Sequence, residues 1–253
     1  MLASGDVAVG SPWYALLSIA ALVASSVIAG RWAGQDAKGE AGTRLAIVWL
    51  SALVGAFLGA KLAFLLAEGL AERTDTAALI GGRSISGALL GGYAAVELAK
   101  HLVGWRRTTG DLFAITVPFS LAIGRIGCVL AGCCQGVACP EAWYAAHDAH
   151  GAPRWPAAQA ELLFNLAFLA WAVLAARFGW QRGQRFHLYL IAYGLFRFGH
   201  EFLRDDPRWF GPIGGYHAVA AATFAVGVWR YGVRRRAGEP QRIGAAPRVE
   251  TDG

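Results

Sequence analysis

The chain has 253 residues, of which 56% are hydrophobic and only 16% charged, and its mean hydropathy is +0.41. A soluble domain with a solvated surface carries more charge and less apolar weight, so the composition excludes the ordinary soluble classes and points to a membrane protein. The net charge of +6 invites a nucleic-acid reading, but the basic residues fall in alternate loops, as bilayer topology distributes them, and no nucleic-acid partner is expected.

Apolar runs of about 20 residues predict an all-α polytopic protein with seven transmembrane helices, at 13–30, 45–67, 79–99, 111–131, 158–176, 187–203 and 213–229. The opening "MLASGDVAVG" has no basic start and the first span is long enough to stay in the bilayer, so the expected mature chain begins near Met1. One set of loops carries Arg31, Lys38 and Arg44, then Lys100, Arg106 and Arg107, then Arg177, Arg182 and Arg185, and finally the C-terminal arginines. The opposite set carries only Arg73, Arg83, Arg154, Arg204 and Arg208. The positive-inside rule then places the N-terminus in the periplasm and the C-terminus in the cytoplasm. Residues 1–232 read as one membrane domain. The Arg-, Gly- and Pro-rich stretch 233–253 reads as a disordered basic tail against the anionic inner leaflet.

In chain order, "GAFLG" at 55–59 and "GALLG" at 87–91 have the small-xxx-small spacing that lets two membrane helices approach closely. The third span also holds Ser84, Ser86, Glu97 and Lys100, so it faces protein or water rather than lipid. The fourth span contains "AIGRIGCVLAGCCQG", Ala122 to Gly136, with Arg125 inside an apolar run. Lys61, Arg125 and Arg197 are the cations within spans, and each costs about 2.5–3.5 kcal/mol at a helix centre. Lys61 can snorkel; the two arginines need another reason.

Cys128, Cys133, Cys134 and Cys139 are all the cysteines of the chain. Buried small residues, a disulfide such as Cys134 to Cys139, and a metal or redox site all remain open for them. With no C-x-x-C spacing, no metal ligand and no cofactor is assigned. The loop 132–157 contains "HDAHGAPRWP", composed of turn and surface formers rather than helix or strand, with His147 and His150 in it.

Toward the end of the sixth span, "YGLFRFGHEFLRDDP" sets Arg197, Glu201 and Arg204 at i, i+4 and i+7, on one face of a helix. Glu201 neutralises one arginine, leaving Arg125 and the other as a cationic pair at the outward leaflet. Guanidinium groups offer a planar fork of donors that suits a phosphate. Gly124 and Gly127 would let a lipid headgroup approach the backbone.

The motifs "GGRSISGALLGG", "GRIGCVLAGCCQG", "RWPAAQAEL" and "YGLFRFGHEFLR", in this order and spacing between Gly81 and about His217, resemble those of the prolipoprotein diacylglyceryl transferases, with an echo in "WYAL" at 13–16. The resemblance implies a multi-pass protein of the bacterial inner membrane that moves the diacylglyceryl group of phosphatidylglycerol onto the cysteine thiol of a lipoprotein precursor, recognised through its signal peptide. It implies that Arg125 holds the lipid phosphate, that Arg197, Glu201 and Arg204 form the second essential polar group, that Tyr14 lines the pocket, and that Gly136 closes the family signature. Where the family has an activating histidine this chain has Ser86, and where the family has the signature asparagine it has Cys128. The family's His-Pro-Ser-Gln segment reads Trp155, Pro156, Ala157, Ala158, and the glutamine opening the last span is His217. A thiol must lose its proton to attack, so His200 and His217 are the expected replacement bases. The alternatives are a family relative with another acceptor and a non-catalytic phospholipid-binding protein.

Overall fold

The computed structural model describes residues 12–33, 39–68 and 82–237. Its helices are α1 (Pro12–Ala33), α2 (Gly39–Glu68), α3 (Ile85–Leu102), α4 (Gly110–Leu130), α5 (Ala157–Phe178), α6 (Arg185–Glu201) and α7 (Gly215–Arg236). Each expected span overlaps one of them. Residues 69–81, with Arg73 and the start of the expected third span, and the tail beyond Ala237 lie outside the described residues. By length and composition, α2, α4 and α5 are long and apolar enough to cross a membrane. Polar content sets α3 and α6 apart: α6 has 17 residues and includes Arg185, Arg197 and Glu201, and α3 carries Glu97 and Lys100.

The bundle is apolar outside and partly polar inside. Leu50, Val54, Leu58, Leu62 and Leu66 form an exposed stripe along α2, whereas Arg125, Glu161, Asn165, Arg197, Glu201 and His217 are buried. A hydrocarbon solvent makes this distribution favourable, because an apolar outer face loses nothing there and a polar group finds partners only within the protein. The central core joins Trp49, Phe113, Phe186, Tyr189, Leu190 and Tyr193.

The two glycine motifs meet. A Cβ on Gly59 would lie 2.4 Å from the carbonyl oxygen of Gly87, and one on Gly91 2.3 Å from that of Gly55. Contact between α2 and α3 is therefore backbone on backbone, which gains dispersion where lipid gives no hydrophobic drive.

Between α4 and α5 the loop is more ordered than its turn-forming residues suggest. Ala146–His147 (β1) and Pro153–Arg154 (β2) pair antiparallel. Asp148 closes the hairpin by accepting from the backbone N–H groups of His150 (2.9 Å) and Ala152 (3.0 Å) and from Arg154 Nε (3.1 Å). Those backbone donors, with the arginine, hold the Asp148 carboxyl below the usual carboxylate range. Local side-chain capping thus supplies what strand propensity does not.

Gly59→Val is expected to lower the thermal midpoint in detergent by the equivalent of about 1–3 kcal/mol, the usual cost of overpacking. An unchanged midpoint would show that α2 and α3 do not touch there.

Candidate functional site

The C-terminal ends of α4 and α6, the N-terminal end of α5 and the turn after α6 bring together Arg125, Glu161, Arg197, Glu201, Arg204 and Asp206. Arg125, 8% exposed, donates from Nη2 to Glu161 Oε2 at 2.6 Å and from Nη1 to Cys128 Sγ at 3.7 Å. Glu161 sits in the second turn of α5 with no solvent exposure. Its Oε1 accepts from the Tyr193 hydroxyl at 2.8 Å. Behind it the chain of contacts continues: Asn165 Nδ2 donates to the Glu161 carbonyl (2.8 Å) and accepts at Oδ1 from Tyr189 (2.8 Å). Such a sequence of satisfied groups holds a carboxylate rigidly in a site of low dielectric.

Arg197 bridges two carboxylates, with Nη2 2.9 Å from Glu201 Oε2 and Nη1 3.7 Å from Glu161 Oε2. The expected helix face is realised only in part. The i, i+4 pair of Arg197 and Glu201 lies on α6, but the helix ends at Glu201, and Arg204 joins the cluster from the turn beyond. There its Nε pairs with Asp206 at 2.8 Å. Arg208 Nη2 caps the helix end by donating to the carbonyls of Glu201 (2.9 Å) and Arg204 (2.7 Å). The expected surplus of two cations is correspondingly smaller, since Glu161 and Asp206 both stand among the arginines.

Four guanidinium nitrogens nevertheless stay buried without a hydrogen-bond partner among the described residues, Arg125 Nε, Arg197 Nη1, Arg204 Nη1 and Arg208 Nη1, and so do both carboxylate oxygens of Glu201. Buried donors of charged groups are normally satisfied. Arg125, Arg197 and Arg204 share one cluster of ion pairs, and guanidinium forks grouped in this way suit a multivalent oxyanion. A cavity of about 220 Å³ lined by Trp49, Tyr93, Glu97, Phe113 and His187 shares no residue with this cluster.

The glycines divide. A Cβ on Gly124 would meet nothing within 4 Å, so the backbone there borders open space. Gly127 is buried within α4. Gly136 holds the loop to the end of α6: its N–H donates to the Trp155 carbonyl at 2.9 Å, it bridges Arg204, and a Cβ there would lie 2.2 Å from the Leu203 carbonyl oxygen. Only glycine allows that approach. Ser86 is buried in the first turn of α3, and among the described residues it makes no hydrogen bond to the arginine cluster. The side chain of Tyr14 lies outside the described residues.

The expected bases meet a different arrangement. His200 Nε2 accepts from the Trp155 indole at 3.1 Å, and its ring stacks on Phe196 with centroids 4.9 Å apart. His217 Nδ1 accepts from the Gly214 N–H at 3.1 Å, closing the N-terminus of α7. An indole and a backbone amide only donate, so each neutral imidazole has its one lone pair engaged. Either ring must first give up that bond to take a proton.

Sequence reasoning missed Glu161, Asp206, Tyr193 and the Trp155 contact. Glu161 had a signal: a lone carboxylate beside "LLFNLAFLAW" carries the same insertion cost that singled out Arg125. The hypothetical Cys134 to Cys139 disulfide is not formed; all four thiols are free.

Glu161→Ala strands Arg125 and is expected to destabilise the folded protein by about 3–5 kcal/mol, measured by denaturation in detergent. Combining it with Arg125→Ala should recover much of that loss. Strict additivity of the two would mean that the groups do not interact.

A family model described as prolipoprotein diacylglyceryl transferase matches residues 6–232. Among similar proteins, the phosphatidylglycerol–prolipoprotein diacylglyceryl transferase 2 of Clostridium perfringens is 27% identical over 62% of this chain and 65% of its own length. The Clostridium tetani protein named phosphatidylglycerol–prolipoprotein diacylglyceryl transferase is 31% identical over 62% of this chain and 66% of its own, so this chain spans just under two thirds of both. The Geobacter sulfurreducens protein of that name is 29% identical over 80% of this chain and 81% of its own. With buried arginines at the motif positions and a family match over nearly the whole helical region, the chain belongs to the prolipoprotein diacylglyceryl transferase family.

Proposed function

We propose that this protein transfers the diacylglyceryl group of phosphatidylglycerol to the cysteine thiol of a lipoprotein precursor. The observation that carries the reading is the buried cluster in which Arg125, Arg197 and Arg204 are tied together through Glu161, Glu201 and Asp206, with guanidinium nitrogens still lacking a hydrogen-bond partner among the described residues. The lipid phosphate lies among them, with the Gly124 backbone beside it and Gly127 and Gly136 keeping the surrounding chain close. As the carbon–oxygen bond to the phosphate breaks, negative charge grows on the departing glycerol phosphate. Fixed donors in a water-poor site stabilise that charge without reorganising. Glu161 and Glu201 orient the forks, Ser86 borders the lipid, and His200 and His217 order the helix ends around the site.

The proposed membrane arrangement has seven spans in the bacterial inner membrane, N-terminus periplasmic and C-terminus cytoplasmic, with the precursor arriving through its signal peptide. Lys100, Arg177, Arg234, Arg235 and Arg236 lie at the helix ends opposite Arg125, which supports that orientation through the positive-inside rule. A second reading, a phospholipid-binding protein without transferase activity, draws on the engaged lone pairs of both histidines.

Arg125→Ala is expected to abolish transfer to a precursor peptide, scored as a mass shift. Arg125→Lys should recover little, because an ammonium lacks the planar fork. Normal phosphatidylglycerol binding and transfer by the Ala variant would remove Arg125 from the site.

His200→Gln and His217→Gln, alone and together, should keep transfer within about tenfold of wild type. A loss of about 10²–10⁴, the size of a general-base contribution, would reinstate a histidine as the base. Lipid bound by wild type with no transfer to any precursor favours the binding-protein reading.

For orientation, single cysteines placed at Ala146 and Ala245 in a background lacking the native four should label in intact cells with an impermeant reagent only at position 146. Labelling at 245 instead would invert the arrangement.

A further inference from the structure

The reaction just proposed leaves the acceptor thiol without a base, and the cysteines beside Arg125 bear on that gap. The end of α4 brings three of them together. Gly132, at φ +63°, is the left-handed residue of a C-terminal helix turn in which the Cys133 N–H donates to the Cys128 carbonyl at 3.1 Å. This closure sets the side chain after the glycine against the one five residues earlier, and here those two residues are Cys133 and Cys128. Cys134 follows with φ +60°, a conformation uncommon and strained for a residue with a Cβ. Its Sγ lies 3.6 Å from that of Cys133. All three sulfurs lie within 4.8 Å of one another.

Ligands about 2.3 Å from a zinc ion stand about 3.8 Å apart in a tetrahedron, so the observed spacing needs only small side-chain rotations to hold one ion. Cys128 and Cys133 are buried against Ala158. Cys134 is partly exposed, the side from which a fourth ligand can enter. A cation stands at the cluster. Arg125 Nη1 already reaches Cys128.

We infer that Cys128, Cys133 and Cys134 form a three-sulfur site for a soft divalent cation of the zinc class, whose open fourth position receives the acceptor cysteine thiol. Three thiolates with Zn²⁺ carry one net negative charge, which the neighbouring arginines neutralise. The step rests on the transfer reading above. The acceptor R–SH binds as R–S⁻ and its proton goes to solvent, since a coordinated thiol ionises outright. The sulfur then attacks the glyceryl carbon bonded to the phosphate oxygen. The C–S bond forms, the C–O bond breaks, and its electron pair leaves on glycerol phosphate. The ion lowers the proton affinity of the thiol, so Ser86 need not act as a base.

The test uses the full chain, reduced and purified in detergent, and equilibrated with Zn²⁺ alone. After desalting, elemental analysis should find about one zinc per chain. Cd²⁺ in its place should give thiolate-to-metal absorption in the ultraviolet. Cys128→Ser, Cys133→Ser and Cys134→Ser should each weaken binding by about tenfold or more, while Cys139→Ser should leave it intact. Because a serine variant can misfold, each is also scored for phosphatidylglycerol binding, which is expected to persist. Absence of retained zinc, or equal retention by the triple serine variant, overturns the site. Chelation should stop transfer and Zn²⁺ restore it. Zinc bound in full with chelation leaving the transfer rate unchanged overturns the acceptor role. Zinc bound in full with no transfer by any form overturns the transferase reading, and the acceptor role with it, and leaves the three-sulfur site standing.

Discussion

The buried ion pair between Arg125 and Glu161 is the contact on which the rest of this structure turns. Neither group tolerates hydrocarbon alone, and at 2.6 Å with no solvent on Glu161 each makes the other admissible. The pair ties the end of α4 to the start of α5. Through Tyr193 and Arg197 it fixes α6 to both. A well-packed apolar pair would join helices about as well. What the arginine adds is a charged fork whose Nε still lacks a partner, held in place by a carboxylate that cannot move.

The frame around that pair is built by two different devices. On one side α2 and α3 approach to backbone contact through glycines, a contact that needs no polar group and works in lipid. At the far ends of the helices a second polar group joins Glu97 with Lys100 and Arg230, and Asp111 with Arg185. These clamps leave the end near Arg125 as the place where buried charged groups keep hydrogen-bonding positions unfilled among the described residues. The loop from 132 to 157 is pinned there as well, through Gly136, Trp155 and Leu203.

The motif resemblance implies that sulfur and small apolar groups stand here where the family has polar residues, which changes what this end of the bundle holds. Ala158 in place of a polar residue leaves room for Cys128 and Cys133 to pack together. Trp155 in place of a histidine occupies the lone pair of His200. The buried arginines stand at the motif positions, while the groups beside them differ in kind.

The helical, apolar character of the chain and the need of Arg125 for a partner were legible in the sequence, because hydrocarbon length and the cost of a buried charge act on each segment independently of its neighbours. The glycine interface was legible for the same reason: its spacing lies on single helices. Partnership was not. Glu161 is 36 residues from Arg125, Asp206 stands in a turn after α6, and the engaged lone pairs of His200 and His217 depend on Trp155 and on the backbone of Gly214. Four cysteines within twelve positions fit a buried cluster, a disulfide or a metal site equally well by spacing. Only the left-handed turn at Gly132 and Cys134, seen with the helices around it, brings three of them together and leaves Cys139 apart. Sequence alone determined which residues hydrocarbon would not tolerate unpaired; tertiary structure decided what each was paired with, because burial is a property of a segment and pairing is a property of the assembled helices.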